Sequence, residues 1–167
     1  MVTPAVRKFA SQFTITGEVA SLIPIIRKIS SFRPVFVSPG QLKQLYAKRT
    51  ASDIISSGTV VLLGKADRAK YKDVRGCIDY SIALLATLRA LGIKASFVRA
   101  FTGSEVFFEF RGKNYFIIPG LENSRPLEIN ATQESHFNRL RAIGKRGIGK
   151  DAWAIGIKSI ADFSKYE

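Results

Sequence analysis

Gly76-Cys77-Ile78-Asp79-Tyr80-Ser81-Ile82-Ala83-Leu84-Leu85-Ala86-Thr87-Leu88-Arg89-Ala90-Leu91-Gly92-Ile93 joins the chain's only cysteine to an apolar run of helical length. Ile78, Ile82 and Leu85 recur on one face and Leu84, Leu88 and Leu91 on another. That spacing predicts a helix enclosed by other elements rather than one lying on the surface. Gly92 supplies the left-handed stop of a common helix ending, and Ile93 the hydrophobic contact that follows it. The Cys77 thiol then stands at a helix start, where unpaired backbone N–H groups and the helix dipole favour a thiolate, with Lys72 and Arg75 adding positive charge. A plain structural use of Cys77 stays open beside this one, because free cysteine is among the most buried residue types. Asp79, in the first turn, suits the helix dipole and can bond a nearby backbone N–H.

Downstream of this helix, 95–101, 105–110 and 114–118 have strand composition, and Arg111-Gly112-Lys113 makes a short hairpin turn between the last two. Phe107 and Phe108 point to opposite faces of their strand. A loop through Pro119-Gly120 and Pro126 leads to a helix at 133–143 capped by Thr132. Gly144 to Lys150 reads as a basic, flexible helix-to-helix linker, and a final helix spans about 151–163, anchored by Trp153 with Ala152, Ile155 and Ile157. Upstream, 4–12 and 18–31 read as helices, the second threatened with a kink at Pro24. Residues 32–36 read as irregular. Ser38-Pro39-Gly40 turns into a helix over 41–46, which 50–55 continues or restarts; 59–63 is a short strand or an apolar loop, and 64–75 an exposed, charged approach to the cysteine.

The chain has 167 residues, of which 46% are apolar, enough for one domain with a continuous core. We divide it into an N-terminal helical part (1–63), a core (64–120) and a C-terminal helical part (121–167). One cysteine forbids an internal disulfide and fits a reducing compartment, so a cytoplasmic location is expected. No secretion signal develops before Pro24, and the apolar run from Ile82 to Ile93 is too short to span a bilayer, so no membrane role is expected. The 26 Lys+Arg against 13 Asp+Glu give a net charge of +13 and make polyanions plausible partners. Yet no run of five basic residues, zinc-ligand spacing, RNP-type motif or phosphate loop is present. The sequence implies neither a metal nor a cofactor.

Cys77-x-Asp79-Tyr80-Ser81, followed by Leu84 to Ala95, resembles the Cys-x-Asp-Tyr-Ala helix, ending in Leu-Arg-Ala-Leu-Gly-Ile-x-Ala, of the transglutaminase-like branch of the papain-type cysteine enzymes. Phe97-Val98 and the Gly112-Lys113 hairpin extend the likeness over about residues 70–120. The resemblance implies an α+β fold, a buried Cys-bearing helix packed on a small antiparallel sheet with flanking helices. It also implies a cysteine served by a histidine at the start of the second strand and an aspartate at the end of the third. This chain departs from both. Glu105 falls at the histidine place, or Gly103 or Ser104 if the turn length differs, and Ile118 falls at the aspartate place. Arg75 stands where the family often has glycine, with Gly76 beside the cysteine.

Thiol catalysis needs an imidazole to take the thiol proton, pair with the thiolate and protonate the leaving amine. A carboxylate at Glu105 would oppose thiolate formation. The remaining base is His136, the only histidine, 59 positions beyond Cys77. The resulting expectation is a domain that keeps the scaffold without the triad and binds a polypeptide or protein partner in a cleft edged by Lys72, Arg75, Gly76 and Asp79. Two alternatives stand beside it: an active thiol amidase or acyl transferase using Cys77 with His136 or an unusual carboxylate, and a basic nucleic-acid-binding protein.

Overall fold

A computed structural model of the chain describes residues 2–64, 77–100, 103–121, 123–158, 162 and 166, with the side chains of 46 and 47 excepted. The described elements run α1 (Pro4–Ala10), α2 (Ile23–Ser30), β1 (Arg33–Val37), α3 (Pro39–Lys48), α4 (Ala51–Ser57), β2 (Thr59–Leu63), α5 (Cys77–Ala90), β3 (Ala95–Ala100), β4 (Gly103–Phe110), β5 (Lys113–Ile117), β6 (Leu127–Glu128), α6 (Ala131–Ala142) and β7 (Arg146–Gly149). The class is α+β: a five-stranded antiparallel sheet, in the order β6-β5-β4-β3-β7, stands with helices on it. A separate parallel pair joins β1 to β2.

Pairing of Phe97 with Val106, and of Val106 with Ile117, fixes the faces of the sheet. Ala95, Phe97, Val106, Phe108, Tyr115 and Ile117 share the face that packs on Leu84, Leu85 and Leu88 of α5 in one buried cluster. Phe9, Leu22, Ile25, Ile29, Leu42 and Ile54 belong to that same cluster, so the N-terminal elements complete the core that α5 begins. Burial on nearly every face of α5 follows from its near-continuous apolar composition.

The structure corrects several sequence expectations. Residues 32–36, expected to be irregular, mostly belong to β1 (Arg33–Val37), which among the described residues pairs with β2 alone; Pro34 is tolerated there because an edge strand can spare an N–H. Instead of one helix over 18–31 there is a 3-10 turn, Val19–Leu22, running into α2, and Pro24 sits in the first turn of α2, where its missing N–H costs nothing. Asn130, not Thr132, caps α6 and accepts from the Gln133 N–H at 2.9 Å. The stretch read as a flexible linker contains β7, hydrogen-bonded to β3. Over 151–158 the chain forms only a 3-10 turn, Trp153–Ile155, stopped by Gly156 at φ +79°. Trp153 is 53% exposed and anchors nothing; Ala152, Ile155 and Ile157 hold this segment to the core.

α3 and α4 are separate helices because Thr50 starts a new one. Its hydroxyl receives the Asp53 N–H while the Asp53 carboxylate receives the Thr50 N–H, at 2.8 Å. Those bonds hold the Asp53 carboxyl below the usual aspartate value. A carboxyl lowered on folding stabilises fully above the unfolded pKa and loses its effect as pH falls through the folded one. Asp53→Asn is therefore expected to unfold at slightly lower denaturant than the native chain at pH 7, by about 0.3–0.5 kcal/mol, a small effect because the carboxylate is exposed. The two should converge in acid, as urea titrations across pH would check.

Candidate functional site

Cys77 opens the described part of α5, is half-buried, and packs against the main core cluster. Ser81, Leu84 and Leu88 follow it along one face at helical spacing. Gly120 lies at the same end of α5: a Cβ on it would come within 2.4 Å of the Tyr80 ring, so only glycine fits there, and its φ of +90° favours glycine as well. The approach containing Lys72, Arg75 and Gly76 lies outside the described residues.

Asp79 is buried, and its partners are long-range. Its Oδ2 accepts from the Arg49 Nε at 2.9 Å and from the Val61 N–H of β2 at 3.0 Å. Arg49 in turn donates from Nη2 to the Thr59 carbonyl at 2.6 Å. This carboxylate ties α5 to β2 and to the α3–α4 junction instead of capping its own helix. Burial pushes its pKa up, against the Val61 N–H and the Arg49 guanidinium.

Glu105 lies on the other side of the sheet from α5. The register pairs it with Val98 and places it in alternation with Ser104 and Val106. Its carboxylate meets Arg146 of β7 at 2.8 Å, both side chains being nearly fully buried. The Arg146 guanidinium also lies 3.8 Å from the centroid of the Phe137 ring of α6, and Phe137 packs edge-on against Phe116. Burial pulls the Arg146 pKa down while Glu105 opposes it. The start of β4 therefore presents Ser104, fully buried opposite Arg99, to the α5 face, and Glu105 to the α6 face.

His136 is exposed on α6, its Nδ1 3.4 Å from the Arg139 Nη2. Because Phe137 and Arg146 fix α6 on the Glu105 face, the sheet stands between the helix that bears Cys77 and the helix that carries the chain's one imidazole. The structure thus brings Glu105 and His136 to one face and Cys77 and Asp79 to the other. Ile118 contributes its carbonyl to the Ser124 hydroxyl at 2.6 Å.

A cavity of about 650 Å³ opens on a third side of α5. Asp79, Ile82, Ala86 and Arg89 line it, recurring at i, i+3, i+7 and i+10, away from the Cys77–Ser81–Leu88 face. Phe97 of β3 lines it too, as do Arg49, Lys150, Asp151 and Trp153. Arg49, Arg89 and Lys150 were not singled out by sequence reasoning. The available signal was the stripe itself, a charge at each end of an apolar helix face. Among the described residues no group of three His, Cys, Asp or Glu side chains could hold a metal ion, and no helix is long and apolar enough to cross a membrane.

The chain matches no protein-family model, and comparison with curated proteins and with solved structures gives no match.

Proposed function

We propose that this chain is a transglutaminase-like domain without the usual Cys-His-Asp triad, and that it binds a polypeptide partner rather than cleaving it. The order of a cysteine-bearing buried helix, then a strand and an antiparallel hairpin, supports the scaffold, along with the motif likeness over about 70–120. The observation that carries the functional half is the sheet interposed between Cys77 and His136. With Ser104 rather than Glu105 facing α5 from the start of β4, that position offers a hydroxyl, which is no base at neutral pH. Fold alone leaves the activity open, so the weight rests on this missing base.

Alkylation of Cys77 with iodoacetamide across pH tests the proposal. Near neutral pH the folded chain is expected to react no faster than the unfolded one. An array of unmodified peptides should show binding that Cys77→Ser retains unchanged. Rapid alkylation near neutral pH that disappears on unfolding would overturn the inactive reading. Absence of peptide binding by the folded chain would overturn the binding one.

A further inference from the structure

We propose that the cavity beside α5 binds a small organic anion with a planar apolar body, independently of whatever occurs at Cys77. Its floor is apolar, built from Ile82, Ala86 and Phe97. Its charge is unevenly committed. Arg49 and Asp79 pair at 2.9 Å, and the one further carboxylate of the lining, Asp151, accepts the Ala154 N–H at 2.8 Å and stands against two further cations, Arg89 and Lys150. Arg89 is held in place by carbonyls: it donates from Nε and Nη2 to Ala95 at 3.1 and 2.7 Å and from Nη2 to Lys150 at 2.6 Å. Neutral acceptors orient this guanidinium, the Asp151 carboxylate offsets its charge only in part, and its Nη1 has no hydrogen-bond partner among the described residues. Lys150, which is exposed, lines the cavity beside Arg89.

Fixed cationic donors beside an apolar floor match a ligand with an acidic head and a greasy plane. Trp153 lines the same cavity with 53% of its surface exposed, and offers a flat ring to stack on such a plane. An exposed tryptophan on a wall built by buried neighbours is an expensive place for a large apolar side chain, and ligand contact would recover that surface. The chain's charge of +13 further favours an anion over a cation at any open cavity.

Trp153 is the only tryptophan, so its emission reports this cavity alone. The test titrates the folded full chain with 8-anilinonaphthalene-1-sulfonate and, separately, with the neutral N-phenyl-1-naphthylamine, reading energy transfer from Trp153. One sulfonate dye per chain is expected, binding at least tenfold more tightly than the neutral one and raising Tm. Lys150→Glu, an exposed change that keeps the fold, should weaken the sulfonate dye about tenfold and leave the neutral dye unchanged. Equal affinity of the two dyes, a falling Tm on dye addition, or indifference to Lys150→Glu would each overturn the proposal. None of these readouts depends on Cys77, so this proposal and the peptide-binding reading fail separately.

Discussion

Glu105→Leu is expected to destabilise the chain by about 3–5 kcal/mol, because it strands the Arg146 guanidinium in a site only 6% exposed. Replacing both partners, Glu105→Leu with Arg146→Met, should return most of that loss. The desolvation of two charges then disappears together with their attraction, and the methionine keeps an apolar stem against Phe137. The comparison is sharp: the single variant leaves Arg146 without its carboxylate, the double variant removes both members of the pair. Urea unfolding measures both, with an unchanged m-value showing that the shift is one of stability. If the single variant lost under 1 kcal/mol, water would be reaching Arg146 and the pair would not be a structural brace between β4 and β7.

That brace also explains where sequence reasoning about the sheet stopped. The enclosed helix, its ending at Gly92 and the hairpin between β4 and β5 were legible because each has a local cause: apolar spacing, a left-handed glycine, a tight turn. β7 was not. Its glycines read as a linker, yet a Cβ on Gly147 would come within 2.5 Å of the Tyr166 ring and one on Gly149 within 2.7 Å of Ile155. They are glycines because neighbours press on the strand, which only tertiary structure reveals. β1 was missed for a related reason. Its parallel partner β2 lies two helices further along the chain, so no hairpin signal marks it.

The candidate site divides in the same way. That Cys77 belongs to the enclosed helix was readable from the apolar spacing and the Gly92 stop. Which neighbour of Glu105 faces Cys77's helix was not, because a one-residue shift in the loop after β3 exchanges the faces of β4. His136 was visible as a residue and invisible as a position, since nothing local tells α6 which face of the sheet to cover. The cavity depends on α4, α5 and the segment after β7 coming together, and nothing local in the sequence ties its Arg89 to the Ala95 and Lys150 carbonyls that hold it.

Asp79→Ala should cost a comparable 3–5 kcal/mol at pH 7, since it leaves the 12% exposed Arg49 side chain without its carboxylate and the Val61 N–H without its acceptor. Arg49→Met breaks the same pair from the other side, with a different dependence on pH. Burial already raises the Asp79 pKa while Arg49 opposes it, so removing Arg49 leaves burial less opposed and the pKa higher still. Between the ordinary aspartate value and the raised one, the folded chain holds a proton that the unfolded chain has released, so stability falls as pH rises across that window. Arg49→Met is therefore expected to lose most stability at pH 7 and to recover part of it as pH is lowered toward the ordinary aspartate value. Asp79→Ala, which has no carboxyl to protonate, should show no such recovery. Urea midpoints of the two variants from pH 7 down to about pH 4.5 separate these outcomes. Parallel profiles would mean that Asp79 stays ionised without its partner, and that the Val61 N–H rather than Arg49 is what holds this carboxylate between α5 and β2.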